Sequence, residues 1–161
     1  LNSSEFEQSA DGIYLAQEYV KSKAPFITRI EFIAGKFHYA VRVDTSDGGF
    51  ELCPAEACEI ERKPKLAAAA CDIGAKFSLR DEIKAEFPLV KKLENFLQAH
   101  KIEIAGVEFI ENSQNELVVY DINTNTNYNK TLEDALRAQG LQGAADRVVE
   151  FLNAEFQKEV K

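Results

Sequence analysis

The chain has 161 residues, 45% of them hydrophobic, and its 19 basic against 27 acidic side chains give a formal net charge of −8. That length holds one core and is short for two, and the acidic balance argues against nucleic acid or an anionic membrane surface as a partner. No apolar run approaches the ~20 residues of a membrane span, no basic stripe is interleaved with aromatics, and the first residues lack the charged-then-apolar order of a secretory signal.

Residues 1–11 are polar and are expected to be frayed and disordered. From Thr28 to Val43 the sequence predicts two strands joined by a turn at Ala34-Gly35, where glycine supplies the backbone freedom a tight hairpin needs. Pairing Ile33 with Lys36 groups Ile30, Phe32, Phe37, Tyr39, Val41 and Val43 on an apolar core face. The opposite face collects Arg29, Glu31, Lys36, His38 and Arg42, either as a solvated surface or as a wall facing a substrate. Residues 44–49 are a turn cluster. Residues 50–65 show no clear period, Cys53-Pro54 predicts a bend, and 66–75 are Ala-rich and helix-permissive. The three cysteines, Cys53, Cys58 and Cys71, form no paired zinc signature and lie far in sequence from His38 and His100. An odd cysteine count without a secretory signal predicts reduced thiols and a cytoplasmic location.

Further along, residues 88–100 place Leu89, Val90, Leu93, Phe96 and Leu97 on one stripe, the pattern of an amphipathic helix. Residues 132–139 predict a short helix ended by Gly140. Residues 141–160 predict a longer one that buries Ala144, Val148, Phe151, Leu152 and Phe156. Together the elements predict one α+β domain over 1–161, an antiparallel sheet with helices packed on one side.

The stretch between these helices carries the chemistry. Ile104-Ala-Gly-Val-Glu108-Phe-Ile and Leu117-Val-Val-Tyr-Asp121-Ile-Asn123 predict a hairpin whose turn is centred on Ser113 and Gln114. Glu108 then lies opposite Val119 and diagonal to Asp121, and Glu108, Asp121 and Asn123 share one face. Two carboxylates that close repel unless a cation lies between them, and with an amide they suit a hard cation such as Mg²⁺. The plainer alternative is an edge hairpin with solvated acids. The loop that follows, residues 124–129, offers amides and hydroxyls that could bind a carboxylate or amine, or form turns and cap the next helix. Thr131-Leu-Glu-Asp has the hydroxyl-then-acid spacing of a capping box.

Ala105-Gly-Val-Glu-Phe followed by Tyr120-Asp-Ile-Asn-Thr resembles the end of an ATP-grasp domain. The resemblance implies that Glu108, Asp121 and Asn123 hold the Mg²⁺ ions that bridge the ATP phosphates. Many members have Asp first and Glu second, so the acids are exchanged here and their reach differs by one methylene. Tyr14-Leu-Ala-Gln-Glu-Tyr-Val20 looks like the segment joining the family's two lobes, which implies adenine binding by the backbone of Gln17, Glu18, Tyr19 and Val20. Arg29 and Arg42 stand where the family's arginines face nucleotide and acyl phosphate, an electrostatic role suited to a permanently charged, bidentate group. Ile27 stands where many members carry a ribose-binding acid, and Glu18 is the candidate to replace it. Thr124, Asn125 and Asn127 match the loop that closes over the acyl substrate.

Only the C-terminal part of the family's pattern is present, strongest in residues 14–43 and 102–127. No phosphate-binding glycine-rich loop occurs, and the chain contains no Met. The expectation is therefore the C-terminal lobe of a longer ATP-dependent ligase, inactive without its N-terminal lobe. Such a ligase would join a small carboxylate to an amine or thiol through an acyl phosphate, using ATP and Mg²⁺. The alternative is a non-catalytic nucleotide- or protein-binding module of the same fold.

Overall fold

The computed structural model describes residues 11–14, 16–46 and 76–159. The expected fraying of residues 1–10, the bend at Cys53-Pro54, the Ala-rich stretch and all three cysteines lie outside the described residues. Strand β1 (Phe26–Ile33) and strand β2 (Lys36–Asp44) form the predicted hairpin. Its turn residues Ala34 and Gly35 both take left-handed φ, 57° and 66°, which matches the right-handed twist of the strands. Then come β3 (Phe77–Leu79), helix α1 (Pro88–Ala99), β4 (Ile104–Glu111), β5 (Leu117–Asn123), α2 (Lys130–Ala138) and α3 (Ala144–Glu159). The five strands lie in the order β3-β2-β1-β4-β5, every neighbouring pair antiparallel. The domain is thus α+β, as the periodicities predict.

Helices cover both faces of the sheet, not one. Ile30, Phe32, Ala40, Val107 and Phe109 pack against Val90, Leu93 and Leu97 of α1. On the other face, Ile27, Ile33, Tyr39, Val41, Val43 and Ile110 pack with Leu132 and Leu136 of α2 and Ala144 of α3. Six of the eight residues of β1 and six of the eight of β4 are buried, as central strands covered on both sides must be.

Two bulges set the register. In the first hairpin Phe32 pairs with Phe37 but Glu31 pairs with Tyr39, so His38 is an extra residue. One inserted residue exchanges the faces of everything beyond it. Tyr39, Val41 and Val43 therefore share a face with Arg29 and Glu31, while Arg42 lies across from Thr28 on the other. This corrects the predicted grouping. In the second hairpin Asn115 N–H bonds back to the Asn112 carbonyl at 3.0 Å, closing the turn around Ser113-Gln114 as expected. Asn115, at φ 63°, adds one residue to the turn, and a bulge at Tyr120 adds another. Glu108 consequently faces Asp121 directly, with no diagonal offset and not opposite Val119. Two single-residue shifts cancel in parity, so the three predicted donors still share one face.

Helix α2 starts two residues before the expected position. Asn129, and not Thr131, is its cap, the side-chain oxygen accepting from Leu132 N–H at 3.0 Å. It ends as predicted, with Gly140 at φ 74° and the Gly140 and Leu141 amides returning to Arg137 and Leu136. Helix α3 buries Ala144 and half-buries Val148 and Phe151 against the second core, but Leu152 and Phe156, expected inside, are 55% and 64% exposed. Only its first two turns meet the sheet's core, and a 16-residue helix runs on for about 24 Å.

Candidate functional site

Register alone arranges six residues as a grid of two rows across three strands. Arg29, Glu108 and Asp121 form one row on β1, β4 and β5, and Glu31, Gly106 and Asn123 form the next. All six lie on the face away from α1. Glu108 is 3% exposed and Glu31 1%, whereas Asp121 is half-buried and Asn123 exposed. The predicted metal donors thus run from the buried Glu108 through Asp121 to the exposed Asn123.

Each buried charge has a specific partner. Tyr120, the bulge residue, donates its hydroxyl to Glu108 Oε2 at 2.8 Å. Arg29 Nε donates to Glu31 Oε1 at 2.5 Å, and Nη2 donates to Thr126 Oγ1 at 2.7 Å and to the carbonyl of Asn127. Burial pushes the Glu108 carboxyl above the usual carboxylate range; Asp121 and Glu31 add to the shift, while the Tyr120 hydroxyl and Arg29 oppose it. Burial also outweighs Arg29 and raises Glu31. The Tyr120 phenol is raised, first by burial and then by the neighbouring Glu108. Deeper on the same face, Tyr39 donates to the buried Glu133 of α2 at 2.8 Å. Burial likewise pushes the Tyr128 phenol up to about 12, and its buried hydroxyl oxygen has no hydrogen-bond partner among the described residues.

The segment predicted to meet adenine is beside this grid. Gln17, Glu18, Tyr19 and Val20 line a cavity of about 550 Å³ together with Ile110, Val118, Val119 and Tyr120. Gln17 Nε2 donates to the Tyr120 carbonyl at 3.3 Å, and Lys23 N–H bonds to the Glu111 carbonyl at 2.8 Å, holding the segment against the second hairpin. Tyr120 therefore joins the cavity to the carboxylates. Thr124, Asn125 and Asn127 are exposed, and Asn125 N–H bonds to Asn123 Oδ1 at 2.8 Å. Arg42 is not brought into the grid. Its guanidinium lies 4.4 Å from the centre of the Phe26 ring and 3.6 Å from Asp44, because the His38 bulge turns it to the other face.

Sequence reasoning placed Glu31 on a possible substrate-facing wall and Thr126 in the polar loop, but singled out neither of them, nor Gly106 or Tyr120, as a site residue. Glu31 carried one signal, its period-two spacing from Arg29. Tyr120 carried none, since its orientation follows from the bulge.

Among the described residues no group of three or more carboxylate, imidazole or thiol side chains is placed to hold a metal ion. The donor set is narrower, two carboxylates and one amide. Glu31 is paired with Arg29, and Glu108 lies between Arg29 and Asp121 across the sheet, so these three carboxylates and one guanidinium carry two uncompensated negative charges when ionised, a state that burial disfavours. A hard divalent cation between Glu108 and Asp121 would balance it, with Asn123 as the outer oxygen donor. Two carboxylates and an amide on one face are a donor set of the kind Mg²⁺ takes.

Fold and site together define an α+β domain with a carboxylate row next to a cavity, Tyr120 being common to both. No protein-family model matches the chain, and no curated protein matches it in sequence. Among solved structures it is similar to the ATP-grasp ligase PsnB complexed with a minimal precursor, at 15% identity and a TM-score of 0.37. The match covers 77% of this chain and 37% of that one, so the chain spans well under half of that neighbour's length. No helix among the described residues is long and apolar enough to cross a membrane.

Proposed function

We propose that this domain is the Mg²⁺-ATP-binding C-terminal part of an ATP-grasp ligase that joins a small carboxylate to an amine or thiol. One observation carries the reading: the Arg29–Glu108–Asp121 row lies beside the Gln17–Val20 cavity, with Tyr120 common to both. Backbone groups of Gln17, Glu18, Tyr19 and Val20 would hold the adenine over Ile110, Val118 and Val119. Glu108, Asp121 and Asn123 would hold Mg²⁺, whose charge supports the phosphates as the γ-phosphoryl passes to the substrate carboxylate and ADP leaves. Arg29 would add permanent positive charge next to Glu108 as the nucleophile displaces phosphate from the acyl phosphate. Thr124, Asn125 and Asn127, exposed just beyond β5, would orient the acyl substrate. Arg42, with Phe26 and Asp44 on the far face, is not part of this set. The remaining wall of the ATP site would come from a second lobe of the same polypeptide in the cytoplasm.

Calorimetric titration of the chain with Mg²⁺ and ATP tests the reading. Wild type should bind Mg²⁺-ATP, and Asp121→Ala should weaken that binding at least tenfold with thermal unfolding unchanged. Equal binding by the variant refutes the metal assignment. A second reading, a non-catalytic protein-binding module, draws on the outward face of α3, where Val149, Leu152 and Phe156 are all exposed. Under that reading Asp121→Ala changes nothing.

A further inference from the structure

The loop after β5 is tied to the sheet by a buried charge on β1. Thr126 turns inward between its exposed neighbours Asn125 and Asn127. Its hydroxyl accepts from Arg29 Nη2 at 2.7 Å and donates to Glu31 Oε2 at 3.1 Å. Arg29 Nη2 also donates to the Asn127 carbonyl, and Arg29 Nε closes the ring on Glu31 Oε1 at 2.5 Å. Two loop residues, one guanidinium and one carboxylate thus form a closed set.

The space for this set exists because Gly106 stands directly opposite Glu31. A Cβ there would come within 2.8 Å of Thr126 Oγ1, 3.2 Å of Arg29 Nε and 3.3 Å of Glu31 Oε2. The backbone of β4 permits the close approach and any side chain would displace the loop. Glu31 is buried on a central strand at a cost that only its partners offset, and none of the proposed metal donors touches it.

We propose that Glu31 and Thr126 are positioning residues. They seat the 124–127 loop on the sheet and turn Arg29 so that Nη1, without a bond among the described residues, is the nitrogen left for a ligand. The seating rests on the contacts alone. Only what the loop covers rests on the ligase reading.

Hydrogen exchange of the backbone amides at residues 124–128, with β1 and β4 amides as the internal reference, tests this on the whole chain. Thr126→Val keeps the shape and removes both hydroxyl bonds. It should speed loop exchange at least tenfold while the reference amides change less than twofold. Thr126→Ser keeps the hydroxyl and should restore protection, which a general packing role for the methyl group would not do. Glu31→Gln removes the charge and should loosen the loop at least as much as Thr126→Val; should it fail to fold, the Thr126 pair decides. Unchanged loop exchange in Thr126→Val, or no rescue by Thr126→Ser, overturns the proposal. If the loop loosens as expected but added Mg²⁺ and ATP protect no amide of wild type at the cavity, the seating stands and the ligase reading falls.

Discussion

The two faces of the sheet are built from alternate residues of the same strands and do opposite work. Along β4, Ala105, Val107 and Phe109 point into the dry core under α1, while Gly106 and Glu108 point into the polar cluster under the 124–127 loop. The first face is held by apolar burial that needs no particular partner for any one atom. The second has its own apolar packing under α2 and α3, and within it a cluster of charges that each need a named partner, with an excess of carboxylate that burial alone would not tolerate. A buried charge cluster that costs stability in a small domain is the place to read for function.

Several substitutions would break or sharpen that contrast. The largest effect should come from the dry face. Phe109→Ala empties a fully buried ring site and should cost about 3–5 kcal/mol of stability in urea unfolding. A loss under about 1 kcal/mol would mean that this face is not the main support. Next is Gly106→Ala on the polar face, where crowding of Thr126, Arg29 and Glu31 should cost about 1–3 kcal/mol. That cost should be accompanied by loss of loop protection, which Phe109→Ala should leave intact until global unfolding. Arg42→Ala should cost less than about 1 kcal/mol, because its pair with Asp44 is solvent-screened and its contact with Phe26 is on the surface. Mg²⁺-ATP binding should be unaffected by that change. A tenfold loss of binding would place Arg42 in the site after all.

The smallest expected effect is one of pH. Burial lowers His38 from its ordinary 6.5; Arg147 lowers it further and Glu133 opposes. The unfolded chain then binds the proton more tightly, so this contribution to stability is complete above pH 6.5 and is lost as pH falls through the folded value. Glu31 has the opposite sign. Its raised value favours the fold below the ordinary 4.5, a contribution lost as pH rises through the folded value. The His38 contribution alone should therefore lower the midpoint of thermal unfolding below pH 6.5, by less than about 3 °C for a group of this kind, against the opposing rise from the raised Glu31 and Glu108 carboxyls. His38→Gln should flatten that fall, and an unchanged slope would show that His38 is not its source.

Much of the fold is legible before any coordinates. The turn residues Ala34-Gly35 and Ser113-Gln114, the stripe of Val90, Leu93 and Leu97, and the stop at Gly140 are local features with local causes, and each is found where the sequence puts it. The shared face of Asp121 and Asn123 is legible too, since side-chain alternation is a property of one strand, whereas Glu108 keeps its place on that face only because two register shifts cancel. The tertiary structure decided what depends on counting residues across strands. The extra residues at His38 and Tyr120 carry no sequence mark, yet one separates Arg42 from Arg29 and the other brings Asp121 directly opposite Glu108. It also decided that Glu31 and Thr126, 95 residues apart, meet over Gly106. Periodicity reports which side of its own element a residue occupies. It cannot report how many residues of one strand oppose one residue of the next, and in this sheet that count decides which charges meet.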